Sequence, residues 1–370
     1  MSDADDDLDL LEDDDEVADE PAAASDARPQ TLAFSVGKNL TSRLDRYVVD
    51  RVGYLSRAEV QRLIKEKAVT VNGRGSKASY NPRAGDSVVV TAPPPRSQTI
   101  EPEPIPLDIV YEDDHLLAIN KQANLIVHPA RGRWHGTLVN GLVHYASQWS
   151  TVRGEHRPGI LHRLDKNTTG VMLVAKSDEA HWRMGRQFEN RTIQKTYLAL
   201  AHGVPELAGD LIDIPIGQDN QVRERMAPRK PQHGGKSAIT QWATEEAYPI
   251  APADAGFALE RGNHANDQAH REPPPGFSLI RLKPKTGRTH QLRVHLSVKG
   301  HPIVGDTMYG GRVVTYGDSA GNAVRFERQA LHAAEISFIH PRSLERMTLS
   351  APLPPDIRGL LDRLRPTVAA

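Results

Sequence analysis

The sequence predicts an α+β protein in which a mixed or antiparallel β-sheet domain follows a small N-terminal α-β module. Three observations predict this. Two short amphipathic helical patterns lead into a strand and an Asn72-Gly73 turn; a proline-rich stretch at residues 92–106 follows; beyond it, strand patterns outnumber helical ones. At 370 residues the chain exceeds what one hydrophobic core normally supports, so two ordered modules plus tails are expected.

Residues 1–28 hold 13 acids and one base, with no aromatic residue. Such a segment buries too little apolar area to offset its ordering entropy, so residues 1–30 are expected to be a disordered acidic tail. The module proper is expected at 31–92. Ser42 with Asp45, and Ser56 with Glu59, have the S-x-x-D/E spacing of a capping box, predicting two helix starts. In the second helix Val60, Leu63 and Ile64 share one face, with Arg57, Arg62 and Lys65 mostly off it. Val69 to Val71 alternate into the Asn72-Gly73 turn, and Gly85-Asp86 opens a second strand.

Residues 93–106 are too rich in proline to pair as a central strand and read as a semi-rigid linker. From 107 to 365 strands are predicted at 108–119, 171–176, 195–201, 237–246, 277–282 and 291–296, with helices at 137–146 and 179–189. The stretch 249–276 is much longer than an ordinary hairpin loop and reads as an exposed insertion, and 311–328 as a further surface loop.

The formal charge of -1 hides an asymmetry. Outside residues 1–28 there are 34 acids and 45 bases, a body of +11, which suits a polyanionic partner. There is no cysteine, which excludes disulfides and thiolate metal sites. No apolar run approaches 18 residues, so no membrane association is expected, and a cytoplasmic monomer is the expectation.

The most informative segment runs from Gly159 to Gly170, G-I-L-H-R-L-D-K-N-T-T-G, in which Asp165 sits among His162, Arg163 and Lys166. Neighbouring positive charge favours an ionised carboxylate. This segment resembles motif II of the RluA-type pseudouridine synthases, H-R-L-D-x-x-T-S-G, departing at Thr169, where serine is usual. Two further stretches strengthen the resemblance: L-I-V-H-P-A-R-G with T-L-V-N-G-L-V-H-Y between Leu125 and Tyr145, and G-R-T-H-Q-L-R-V-H-L-S-V-K-G-H-P-I-V-G-D between Gly287 and Asp306. The N-terminal order, with R-L-D-R at Arg43 and L-S-R-A-E-V-Q-R-L-I-K at Leu55, resembles the RNA-binding fold of the ribosomal S-four type.

The resemblance implies isomerisation of specific uridines to pseudouridine in RNA, most naturally large-subunit ribosomal RNA or its precursor particle, without metal or cofactor. It implies Asp165 as the catalytic carboxylate, Arg288 as its charge partner, and Tyr197 as the residue that stacks on the base and is a candidate for removing the C5 proton. Arg163 would fill the gap left by a flipped nucleotide. Leu331 would lie beneath the pocket, with His162 and Thr169 as further substrate contacts. In the N-terminal module, Arg43, Arg46, Arg57, Arg62 and Lys65 would face RNA.

His290, His295 and His301 are spaced by five and six, which puts the first pair on opposite faces of the expected strand and argues against a metal site. Two alternatives stand beside the isomerase reading: a catalytically inactive RNA-binding assembly factor, and an N-glycosylase that releases free base.

Overall fold

The computed structural model describes residues 29–55, 57–93, 100–128, 134–154, 157–222, 224–261, 272–317 and 321–365. The acidic tail, Ser56 and its expected capping box, and the cores of the linker and of the 249–276 stretch lie outside them. The described chain divides into two compact units, one running to Ile100 and taking in the short stretch that ends at His135, the other Glu101–His128 and Gly136 onward.

The smaller unit contains β1 (Gln30–Ser35), α1 (Leu44–Val52), α2 (Arg57–Lys65), β2 (Val69–Val71), β3 (Arg74–Gly75) and β4 (Ser87–Ala92). Its strands pair antiparallel in the order β1-β4-β2-β3. Asn72 and Gly73 take positive φ, 52° and 75°, the left-handed region that a two-residue hairpin turn between β2 and β3 requires. Val60, Leu63 and Ile64 of α2 are buried against Leu44, Val48, Val69 and Val90. The expected box at Ser42 and Asp45 does not form: α1 begins after Arg43, and Asp45 turns inward instead.

The larger unit continues with β5 (Ile109–Glu112), β6 (Leu116–Lys121), α3 (Leu138–Tyr145), β7 (Thr169–Ala175), α4 (Asp178–Glu189), β8 (Gln194–His202) and β9 (Gly209–Asp213). Next come β10 (Ile216–Gln218), β11 (Met226–Pro228), β12 (Ile239–Tyr248), β13 (Ala258–Glu260), β14 (Phe277–Pro284) and α5 (Gln291–Val298). The chain closes with β15 (Val313–Gly317), β16 (Ala323–Phe326), β17 (Leu331–Ile339), β18 (Arg346–Ser350) and α6 (Pro355–Leu364).

A nine-stranded sheet in the order β5-β6-β7-β17-β8-β14-β12-β9, with β18 beside β17, organises the unit. Its pairs are antiparallel except β7 with β17. Strand β7 is buried along its whole length, and α4 sets Ala180 and Met184 against Leu116, Val171, Leu173 and Phe338. Truncating a buried aromatic such as Phe338 would cost about 3–5 kcal/mol. The mixed, mainly antiparallel α+β architecture is the one expected.

Two expectations need correction. Residues 291–296 form α5, not a strand. The alternation of Leu292, Val294, Leu296 and Val298 suggested a period of two, but Gln291 through Leu296 are all buried, so their polarity pattern reports burial on every side and not the backbone period. The stretches 249–276 and 311–328 are not simply exposed loops. Within them β13, β15 and β16 pair into a three-stranded antiparallel sheet. Phe257 is 5 % exposed, with its ring edge-on to Phe277 at 5.4 Å and to Tyr316 at 5.7 Å. Phe257 and Tyr316, one from each stretch, are brought together by this pairing and pack with Phe277 of β14.

Candidate active site

Gly170, the second residue of β7, has φ 117°, and a Cβ there would lie 2.2 Å from the Ala333 carbonyl oxygen, so only glycine lets β7 meet β17 this closely. That contact registers Ala333 opposite Gly170, and on its other side β17 sets Ala333 opposite Tyr197 of β8. The start of β7, Leu331 and Tyr197 are thereby gathered at one place on the sheet. The turn just before β7 carries Asp165, whose carbonyl accepts the Thr168 amide at 3.0 Å. Buried Lys121 anchors that turn, its Nζ donating to the carbonyls of Gln122 (2.9 Å), Leu125 (2.9 Å) and Lys166 (3.0 Å).

Asp165 opens onto a cavity of about 570 Å³ that is also lined by Arg163, Tyr197, His290, Arg293 and Leu331. Nine arginines and lysines line it against two carboxylates, Asp165 and Glu189, so its ligand is expected to be anionic. Among the described residues no group of His, Cys, Asp and Glu is placed to hold a metal ion. No helix among them is long and apolar enough to cross a membrane.

The guanidinium that meets Asp165 is that of Arg293, its Nη1 lying 3.2 Å from Oδ2. Arg293 also forks onto Asp306, Nε to Oδ2 at 2.8 Å and Nη2 to Oδ1 at 2.9 Å, and lies 5.0 Å from the Tyr309 ring centroid. Arg288, expected from the sequence in this role, lines the same cavity but donates its Nε to the Ser237 carbonyl at 3.1 Å, while its amide donates to Gln291 Oε1 at 3.0 Å. The reason is the misread element: Arg288 precedes α5, whereas Arg293 lies on the helix, in its first turn. Its signal lies within the G-R-T-H-Q-L-R stretch, where a helical period sets His290 and Arg293 three residues apart on one side.

Burial opposes ionisation of Asp165, but the charges facing it, from His290, Arg293 and Arg163, outweigh burial and hold its carboxyl below the usual range. His290 is itself kept neutral, burial pushing it down to about 3, so near neutral pH the field on Asp165 comes from the two guanidiniums. The side chain of Asp165 keeps 22 % exposure and lines the cavity. Tyr197 is raised well above the usual tyrosine value, by burial first and then by Asp165, and is a neutral phenol at physiological pH.

The remaining expected contacts divide. His162 lines the cavity, yet its Nε2 accepts the Leu173 amide at 3.0 Å and its ring lies 5.1 Å from Phe188, which makes it a brace for β7. Burial, with Lys195 and Arg153 beside it, pushes it down to about 3. Thr169 is turned away from the cavity: His332 donates from Nε2 to the Ala351 carbonyl at 3.0 Å, leaving Nδ1 to accept from the Thr169 hydroxyl at 2.9 Å.

In the smaller unit Asp45, fully buried, accepts from Arg43 Nε at 3.2 Å, Arg57 Nη2 at 3.1 Å and Gln61 Nε2 at 2.8 Å. Arg43 and Arg57 remain half exposed, and Arg46, Arg62 and Lys65 are exposed, so this helix pair presents an outward basic face.

The family described as RNA pseudouridylate synthase matches residues 115–298, and the S4 domain family matches residues 42–88. The chain is 37% identical over 325 residues to an uncharacterized RNA pseudouridine synthase, YlyB, of Bacillus subtilis, covering 88% of this chain and 95% of that one. It is 37% identical to a ribosomal large subunit pseudouridine synthase D of Nitrosomonas europaea, covering 94% and 92%, and 39% identical to one of Neisseria meningitidis serogroup B, covering 87% and 79%.

Proposed function

Because the chain belongs to the RNA pseudouridine synthase family, of the RluA type, we propose that it converts specific uridines of large-subunit ribosomal RNA to pseudouridine, with Asp165 as the catalytic carboxylate. The observation that carries the assignment is an ionised aspartate held on Arg293 at the wall of a basic cavity. Breaking the C1'-N1 bond by attack at the sugar, or by removal of a sugar proton, requires such a carboxylate, and its depressed pKa keeps it ready near neutral pH.

Each neighbour has a corresponding task. Arg293 fixes the carboxylate and neutralises part of its charge. Tyr197, a phenol at neutral pH, is suited to stack on the base; its raised pKa gives no support to the expectation that it removes the C5 proton. Leu331 and Arg163 line the cavity, which supports their roles beneath the base and in filling the gap of a flipped nucleotide, a step that costs a few kcal/mol. The smaller unit, belonging to the S4 domain family, would supply a second RNA contact through Arg43, Arg46, Arg57, Arg62 and Lys65. Relatives named for the large ribosomal subunit support the substrate class, and a cytoplasmic monomer fits that role.

The test is to incubate the protein and its Asp165→Asn variant with ribosomal RNA and map pseudouridine. Product from the unaltered protein alone is expected; equal product from both would refute the role of Asp165, and free uracil in place of isomerised base would refute the isomerase assignment.

A further inference from the structure

His290 joins the cavity by an unusual route. It stands at φ 53° and ψ 15°, the left-handed region, immediately before α5, a conformation a non-glycine residue adopts at a cost and one that concentrates at functional sites. Its Nδ1 lies 2.8 Å from the Tyr309 hydroxyl. That hydroxyl already accepts the Met226 amide at 2.9 Å, so its single proton is left for His290 Nδ1. Were Nδ1 the protonated nitrogen, the hydroxyl proton of Tyr309, a residue 7 % exposed, would lose its acceptor. The chain Met226 amide, Tyr309 hydroxyl, His290 Nδ1 therefore fixes the tautomer and places the imidazole proton on Nε2.

Among the described residues Nε2 has no hydrogen-bond partner, and it is not among the buried polar atoms left unsatisfied. The residue is only 7 % exposed and lines the cavity, and Nε2 keeps access to it, so the ring presents this edge to the cavity that Asp165 also lines. A neutral N-H donor is thus held in a fixed direction in the cavity that Asp165 also lines.

We infer that His290 is a further catalytic residue, whose Nε2-H donates a hydrogen bond to a carbonyl oxygen of the uracil ring as the ring leaves the sugar. The inference rests on the isomerase reading above. When C1'-N1 breaks, N1 keeps the electron pair and the charge spreads through the ring onto O2 and O4. A donor aimed at one of these oxygens stabilises the detached base more than the bound nucleoside, which is the requirement for acceleration. Because the imidazole is neutral and donates without transferring its proton, it also avoids forming a competing ion pair with Asp165.

Three variants test this in single-turnover and steady-state assays on ribosomal RNA, with thermal melting as the folding control. Asn tolerates left-handed φ, so His290→Asn keeps the backbone, but its amide reaches only as far as the ring Nδ1. His290→Gln carries an amide nitrogen out to the Nε2 position. Loss of one preorganised donor is expected to lower kcat about 100-fold in His290→Asn with KM within about threefold. His290→Gln should recover at least about tenfold of that loss, and Tyr309→Phe, which frees the tautomer, should fall between His290→Asn and the unaltered protein. Wild-type kcat in a folded His290→Asn, or a His290→Gln no faster than His290→Asn, overturns the inference while leaving the isomerase reading standing. Absence of pseudouridine with the unaltered protein overturns that reading itself.

Discussion

Arg293→Met is the perturbation that most directly probes the site's electrostatics. The side chain is 8 % exposed and serves two carboxylates: Asp306, 1 % exposed and held by two bonds of 2.8 and 2.9 Å, and Asp165, 22 % exposed and held by one of 3.2 Å. Methionine keeps the apolar stem but strands the buried Asp306 charge. Breaking a buried pair in this way costs about 3–5 kcal/mol, most of it from Asp306, since Asp165 can recover some hydration from the cavity. A loss of about 4 kcal/mol is roughly a thousandfold shift in the unfolding constant, readable as a lower denaturant midpoint at unchanged slope. The Asp165 pKa, held low in part by Arg293, should rise, moving the acid limb of the pH-rate profile upward. Arg293→Lys should be intermediate, because an ammonium cannot span both carboxylates as a planar fork does. A variant as stable as the unaltered protein, with an unmoved acid limb, would refute the reasoning.

Other expectations follow from the same geometry. Arg288→Ala should leave the acid limb of that profile in place, because its Nε is engaged with the Ser237 carbonyl; an upward shift equal to that of Arg293→Met would restore Arg288 as the charge partner. Gly170→Ala should destabilise the larger unit by at least about 1–3 kcal/mol in chemical denaturation, from the positive φ and the collision with Ala333. Asp45 is opposed by burial but held down to about 2 by Gln61, Arg43 and Arg57. Its contribution is therefore complete above its unfolded pKa and lost as pH falls through about 2. Asp45→Asn should remove about 1–2 kcal/mol at pH 7, discounted for half-exposed partners, and weaken RNA binding by loosening Arg43 and Arg57; unchanged affinity would show that Asp45 does not position them.

Much of the site was legible because it is local in the chain. Asp165, Arg163 and His162 fall within one twelve-residue segment, and Tyr197 sits on a strand whose pattern was plain, whereas the strand that carries Leu331 was not among those predicted. Arg293 was not, because a helix buried on every side loses the polar-apolar period that would identify it, and the choice between two arginines five residues apart depends on that period. Likewise, β13, β15 and β16 are cooperative across residues 258–326: each is three to five residues long, and none has a pattern that survives without its partners. The hairpin of the smaller unit was legible for the opposite reason, since Asn72-Gly73 dictates its own dihedral angles.

The ammonium of Lys121 ties three carbonyls from two chain segments to a single point beneath the aspartate turn. A pivot of that kind removes hinge freedom: the turn cannot swing out without abandoning a buried cation. If Asp165 is the catalytic carboxylate proposed above, the backbone that carries it is thereby held in place while the base turns over.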